Sequence, residues 1–241
     1  MSSHTPPLYH PEIDGLRSIA VLAVVLYHFG VTGLQGGFVG VDIFFVISGF
    51  LIGGLLWREG QSTGAISLKR FYMRRIKRLA PAYVAMAFAS LCVGYIVLLP
   101  FEFREFGKSL IAATVYLSNV NFYREAGYFD TVSEDKVLLH TWSLSVEEQF
   151  YIVLPVLMVL LLRRSFGLRA LLWLSFAASL IACIWITQRS QPAAFYLFPF
   201  RAWELLAGVL LAIEGQRRAV PQAGALSFLG LLLVLGGIFL I

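Results

Sequence analysis

Positions 12–29 read Glu12-Ile-Asp-Gly-Leu-Arg-Ser-Ile-Ala-Val-Leu-Ala-Val-Val-Leu-Tyr-His-Phe29. This is an apolar run of membrane length that carries Arg17 and His28. Eleven residues separate the two, close to three helical turns, so their side chains share a face about 16 Å apart along the axis. An ionisable group inside a spanning helix is costly, and its default reading is functional. The pair therefore reads as one group holding an anion near a membrane surface and another doing chemistry deeper in. The bland alternative, a snorkelling arginine and an interfacial histidine, ranks second because polar residues recur in comparable positions along the chain.

Working outward, the composition agrees. The 241 residues are 59% hydrophobic and 14% charged, with mean hydropathy +0.78; a soluble domain carries far more charge. The expected fold class is all-α, a polytopic transmembrane helical bundle. Candidate spans are 13–29, 38–57, 81–99, 146–162, 170–186, 200–213 and 225–241, about seven in all. The first and sixth are short or polar for a lone span and need protein neighbours. Segment 106–122 is apolar at its centre but flanked by Lys108, Ser118, Asn119 and Asn121, and reads as a re-entrant or interfacial helix. One membrane domain, 1–241, accounts for the chain. Its first span is expected to act as an uncleaved signal, and its end inside an apolar run suggests that further spans are missing.

Basic residues gather between spans. Arg58, Lys69, Arg70, Arg74, Arg75, Lys77 and Arg78 fall in one loop, which the positive-inside rule places in the cytoplasm together with the N-terminus. Arg163, Arg164, Arg169, Arg217 and Arg218 fall on the same side if 106–122 does not cross. The net charge of +5 is therefore topology, and nucleic acid is not an expected partner; the lipid bilayer is. Cys92 and Cys183 sit in apolar runs without metal or disulfide spacing. Within the loop, 67–79 reads as an amphipathic helix leading to Pro81 at the start of the next helix. Arg70, Arg74 and Lys77 point away from its apolar face. Arg75 falls within that face and Arg78 at its edge. Arginine suits phosphate because its planar fork donates parallel hydrogen bonds, and a buried Arg75 lacks a partner unless an anion arrives.

Two further stretches carry ionisable groups. In Gly37-Phe-Val-Gly-Val-Asp-Ile-Phe-Phe-Val-Ile-Ser-Gly-Phe-Leu51, Asp42 enters the membrane a short turn after His28, where a carboxylate would fix the imidazole tautomer; the alternative is an Asp at a helix N-terminus. Gly40, Gly49, Gly53 and Gly54 permit close helix approach. In Leu138-Leu-His-Thr-Trp-Ser-Leu-Ser-Val-Glu-Glu-Gln-Phe-Tyr151, Ser145 is expected to cap a helix with Glu147 and Glu148 in its first turn. Trp142 and Tyr151 are either belt aromatics or a platform for a sugar ring. Arg201 and Glu204, three apart, are expected to pair.

The blocks at 9–28, Gly40–Leu51, Arg70–Pro81 and His140–Tyr151 resemble, in order, those of the acyltransferase-3 family of membrane O-acyltransferases. The resemblance implies transfer of an acyl group, commonly acetyl, from cytoplasmic acyl-CoA (acetyl-CoA) to an envelope carbohydrate such as lipopolysaccharide O-antigen or peptidoglycan. Acyl-CoA is a co-substrate, with no tightly bound cofactor and no metal implied. The family's arginine–histidine motif corresponds to Arg17 and His28, and its Arg-x-x-Arg motif to Arg75 and Arg78. The expected site then has His28 as base or acyl carrier, oriented by Asp42 or Glu148. Arg17, Arg75 and Arg78 hold the donor, and His140, Trp142, Ser145 and Glu147 meet the acceptor. The implied location is the inner (plasma) membrane. The rival class is a transporter, since intramembrane charges also mark substrate paths, and a non-catalytic remnant is the third reading.

Overall fold

The computed structural model describes residues 11–126, 136–161, 165–215 and 223–240; Tyr9, His10, Arg163, Arg164, Arg217 and Arg218 lie outside them. The described residues form ten α-helices and no strand: α1 Pro11–His28, α2 Val39–Thr63, α3 Leu68–Val97, α4 Pro100–Thr114, α5 Ser118–Ala126, α6 Thr141–Leu161, α7 Ser165–Thr187, α8 Gln191–Tyr196, α9 Phe198–Gly215 and α10 Ala223–Leu240. A 3-10 turn, Gln35–Phe38, precedes α2. Four helical stretches are long and apolar enough to cross a membrane: Gln35–Thr63, Leu68–Val97, Thr141–Leu161 and Gly167–Thr187. The other expected spans correspond to α1 and α9, of 18 residues each, and to the apolar stretch Gly224–Phe239.

Helices α2 and α6 are central, with 39% and 44% of their apolar stretches buried, whereas α3 and α7 are peripheral at 6% and 11%. Their outward apolar faces suit lipid, which accepts hydrocarbon but no unpaired backbone. The tightest contact joins α2 to α9, running in the same direction. A Cβ on Gly49 would meet the Leu205 carbonyl oxygen at 1.9 Å, and one on Gly208 would meet that of Val46 at 2.0 Å. Only hydrogen side chains allow this approach, as in other membrane helix pairs that replace hydrophobic drive with packing. Helix α1 returns antiparallel to α2, its Ala20 and Ala23 carbonyls against Gly40 and Gly37.

Segment 106–122 forms no single helix. Helix α4 ends at Thr114 and α5 starts at Ser118, with Tyr116 between them in the left-handed region at φ 57°. Fifteen residues span about 22 Å at the usual rise, short of a bilayer's hydrocarbon core. The flanking polar residues staple α5 to its neighbours. Ser118 and Ser145 hydroxyls bond at 2.7 Å, Asn119 donates to the Tyr196 carbonyl at 3.0 Å, and Gln149 donates to the Tyr116 carbonyl at 2.8 Å.

Two expected helix starts are corrected. Pro81 lies inside α3, which runs unbroken from the basic segment into the apolar one. Its N-terminus is capped by Ser67, whose hydroxyl accepts from the Arg70 N–H at 3.4 Å. Helix α6 begins at Thr141, so Ser145 is an interior residue bonded to Ser118 and not a cap, and Glu147 and Glu148 sit in the second turn.

Gly49→Ala and Gly208→Ala are each expected to lose about 1–3 kcal/mol through overpacking, seen as a lower melting temperature in detergent. Gly107→Ala, where an added Cβ meets nothing within 4 Å, should not lower it.

Candidate active site

Helices α1, α2 and α6 enclose a groove of about 270 Å³. Val21, Val24 and Val25 form its α1 wall, Phe44 and Phe45 its α2 wall, and Glu147 brings a carboxylate to it from α6. The valines all lie between Arg17 and His28 in sequence, so the groove follows the stretch of α1 that links these two residues.

His28 is the last residue of α1. Its Nδ1 lies 2.8 Å from the Val24 carbonyl oxygen one turn back. That oxygen only accepts, so Nδ1 carries a proton, and in the neutral tautomer the lone pair is on Nε2. Asp42, expected to perform this orientation, does not. It sits in the first turn of α2 and accepts from Arg201 at 2.7 Å. The local carbonyl is nearer in the chain, and Asp42 is drawn to a full positive charge on α9. At the other end of α1, Arg17 pairs with Asp14 at 3.7 Å and stays one-third exposed.

His140 shares the His28 end of the bundle. It is exposed, yet its ring is crowded by protein atoms; desolvation first and the charge of His28 second lower its pKa from the usual 6.5.

Arg75 reaches inward from α3, with its side chain 15% exposed. It is not left without a partner: it donates to Glu148 at 2.8 Å and lies 3.8 Å above the Tyr151 ring. Glu148, expected beside His28, is committed here. Arg78 remains exposed. Tyr151, neither belt nor platform, is buried. Its hydroxyl bonds Ser48 of α2 and donates to Glu147 at 3.4 Å. Ser48 and Tyr151 lie 103 positions apart, which no local pattern reveals.

Arg201 anchors a second buried cluster. It donates to Asp42 and, at 2.5 Å, to Glu204, the i+3 partner expected from spacing. The rings of Phe195, Trp142 and Phe45 surround its guanidinium at 5.3, 5.6 and 6.0 Å. Trp142 thus packs inside the protein at 5% exposure, and Ser145 is buried at 1%. Neither reaches the surface from which an acceptor would approach. Glu147 lines the groove. No group of three or more metal-ligating side chains occurs among the described residues.

A helical membrane bundle with an apolar groove on the helix that carries Arg17 and His28, and ion pairs in its interior, defines a membrane-embedded protein with a built internal site. Comparison with known proteins specifies which. The "Acyltransferase domain" family, acyltransferase-3, matches residues 10–241, and the chain belongs to that family. It is similar to the peptidoglycan O-acetyltransferase OatA of Listeria monocytogenes, 36% identical over 85% of this chain and 34% of that protein. It is also similar to the O-acetyltransferase OatA of Staphylococcus aureus NCTC 8325, 40% identical over 73% of this chain and 29% of that protein. The chain thus spans about a third of the length of these relatives. No solved structure matches.

Two outcomes test this geometry. Arg201→Ala strands two carboxylates and is expected to cost about 3–5 kcal/mol, whereas Asp42→Asn, which leaves Glu204 as a partner, should lower the melting temperature far less. For His140, a depressed pKa means the unfolded chain binds the proton more readily, so its contribution to stability falls as pH drops through 6.5. His28→Gln removes one of the two causes and should raise the His140 pKa, read by NMR titration of the ring.

Proposed function

We propose that this domain transfers an acyl group, acetyl in the first instance, from acyl-CoA to a hydroxyl of an envelope carbohydrate, with the peptidoglycan acceptor of the Listeria relative as the leading class. The observation that carries the reading is the apolar groove lined by Val21, Val24 and Val25 of α1, which lie between Arg17 and His28 on the same helix. An apolar trough suits a pantetheine arm and its thioester, while arginines suit the phosphates that cannot enter it.

In the proposed reaction, His28 Nε2 removes the proton of the acceptor hydroxyl. The oxygen bonds to the acyl carbon and the carbon–sulfur bond breaks. The thiolate takes the proton from the imidazolium and leaves as free CoA. Arg75 and Arg78, three residues apart on α3, receive the CoA phosphates, with Arg17 above them. Glu147 and the exposed His140 flank the path of the acceptor, which enters at the His28 end.

The basic face of α3, with Arg70, Arg74 and Lys77 exposed, supports a cytoplasmic location for the Arg75 end by the positive-inside rule. The N-terminus is then cytoplasmic too, the protein lies in the plasma (inner) membrane, and the acyl group crosses along the groove.

His28→Ala is expected to abolish acetylation, measured as acetate released from envelope polysaccharide by mass spectrometry and as acyl-CoA-dependent release of free thiol in membranes. Unchanged acetate would remove His28 from the mechanism. A transporter would show no thiol release in the parent protein.

A further inference from the structure

We infer that Glu148 is a latch on the donor site: it occupies the Arg75 guanidinium when no donor is bound and must yield it when CoA phosphate arrives. The inference rests on the reading of Arg75 as a donor-binding group.

The geometry is specific. The pair closes at 2.8 Å between side chains only 15% and 11% exposed. The guanidinium carbon lies 3.8 Å over the Tyr151 ring centre, and its Nε is buried with no hydrogen-bond partner. A site built only to satisfy Arg75 would use that third donor group, because a buried polar atom left unpaired costs free energy. Glu148 therefore fills part of the fork's capacity, as a carboxylate standing where a polydentate phosphate would use more of it. The pair also bridges chain segments 73 positions apart, so releasing it loosens α3 from α6. Arg75 can then turn along α3 towards Arg78, which is exposed and has no ion pair among the described residues. Tyr151 is uncovered by the same movement. Its hydroxyl donates to Glu147 in the groove, so the movement carries donor arrival to the place where the thioester would lie. Competition between an internal carboxylate and an incoming phosphate for one guanidinium discriminates against weak anions, which cannot displace Glu148.

Binding of free CoA to the detergent-solubilised protein, measured by titration calorimetry, tests this. Glu148→Gln keeps the shape and removes the charge. The Kd for CoA is expected to fall about tenfold, equivalent to about 1.4 kcal/mol. In an Arg75→Ala background the same change should have no effect, because the two act through one contact. A purely structural Glu148 would not tighten binding at all. If Arg75→Ala weakens CoA binding but Glu148→Gln leaves it unchanged or weaker, the latch is overturned and the donor role of Arg75 stands. If Arg75→Ala leaves CoA affinity unchanged, the donor reading at Arg75 fails and the latch with it. Should Glu148→Gln not survive extraction, Glu148→Asp lengthens the contact while keeping the charge. It should tighten CoA binding by a smaller factor, and no tightening overturns the latch.

Discussion

Helices α2 and α9 touch through their backbones at Gly49 and Gly208, and the placement of Asp42, Arg201 and Ser48 follows from that contact. With the two helices this close and parallel, Asp42 reaches Arg201 and Phe45 lies against its guanidinium. The α2 face bearing Ser48 is left to meet Tyr151 of α6. In water, association of two such helices would be driven by the release of solvent from apolar surface. In a bilayer that drive is absent, and close van der Waals packing takes its place.

A second constraint operates inside the bundle. A charge removed from water needs a partner, since the desolvation cost otherwise outweighs anything else the residue contributes. Arg201 and Arg75 meet this differently. Arg201 is held through Nη1 by two carboxylates, donates from Nε to the Phe195 carbonyl and is surrounded by aromatic rings, and its work is to hold α2 and α9 in register. Arg75 is held by one carboxylate, with Nε left over, and it sits on a peripheral helix whose outer face is basic. The first arrangement resembles a rivet, and the second a contact able to exchange partners.

The apolar groove beside α1 runs along the helix that ends in His28. Its imidazole needs no carboxylate to set its tautomer, because a backbone carbonyl one turn away does so. That economy leaves Asp42 free for Arg201. It also makes the proposed base a property of α1 alone, carried on the same helix as Arg17, so the distance between the two residues is set by helical rise.

How much was legible beforehand depends on the range of the interaction. Apolar runs, the basic face of α3, the Arg17–His28 spacing and the Arg201–Glu204 pair are all local, with a period or separation set by the helix itself, and the sequence by itself determined them. The helical membrane class and the capacity of the α2 glycines for close approach belong with these, because a bilayer admits few alternatives. Partner choice across the bundle does not. That Arg75 takes Glu148, that Asp42 takes Arg201 in place of His28, and that Trp142 and Ser145 are buried are decisions between residues dozens of positions apart. Several partners of equal chemistry were available to each, and only the tertiary structure, through the depth and rotation at which α2, α3, α6 and α9 pack, selected one.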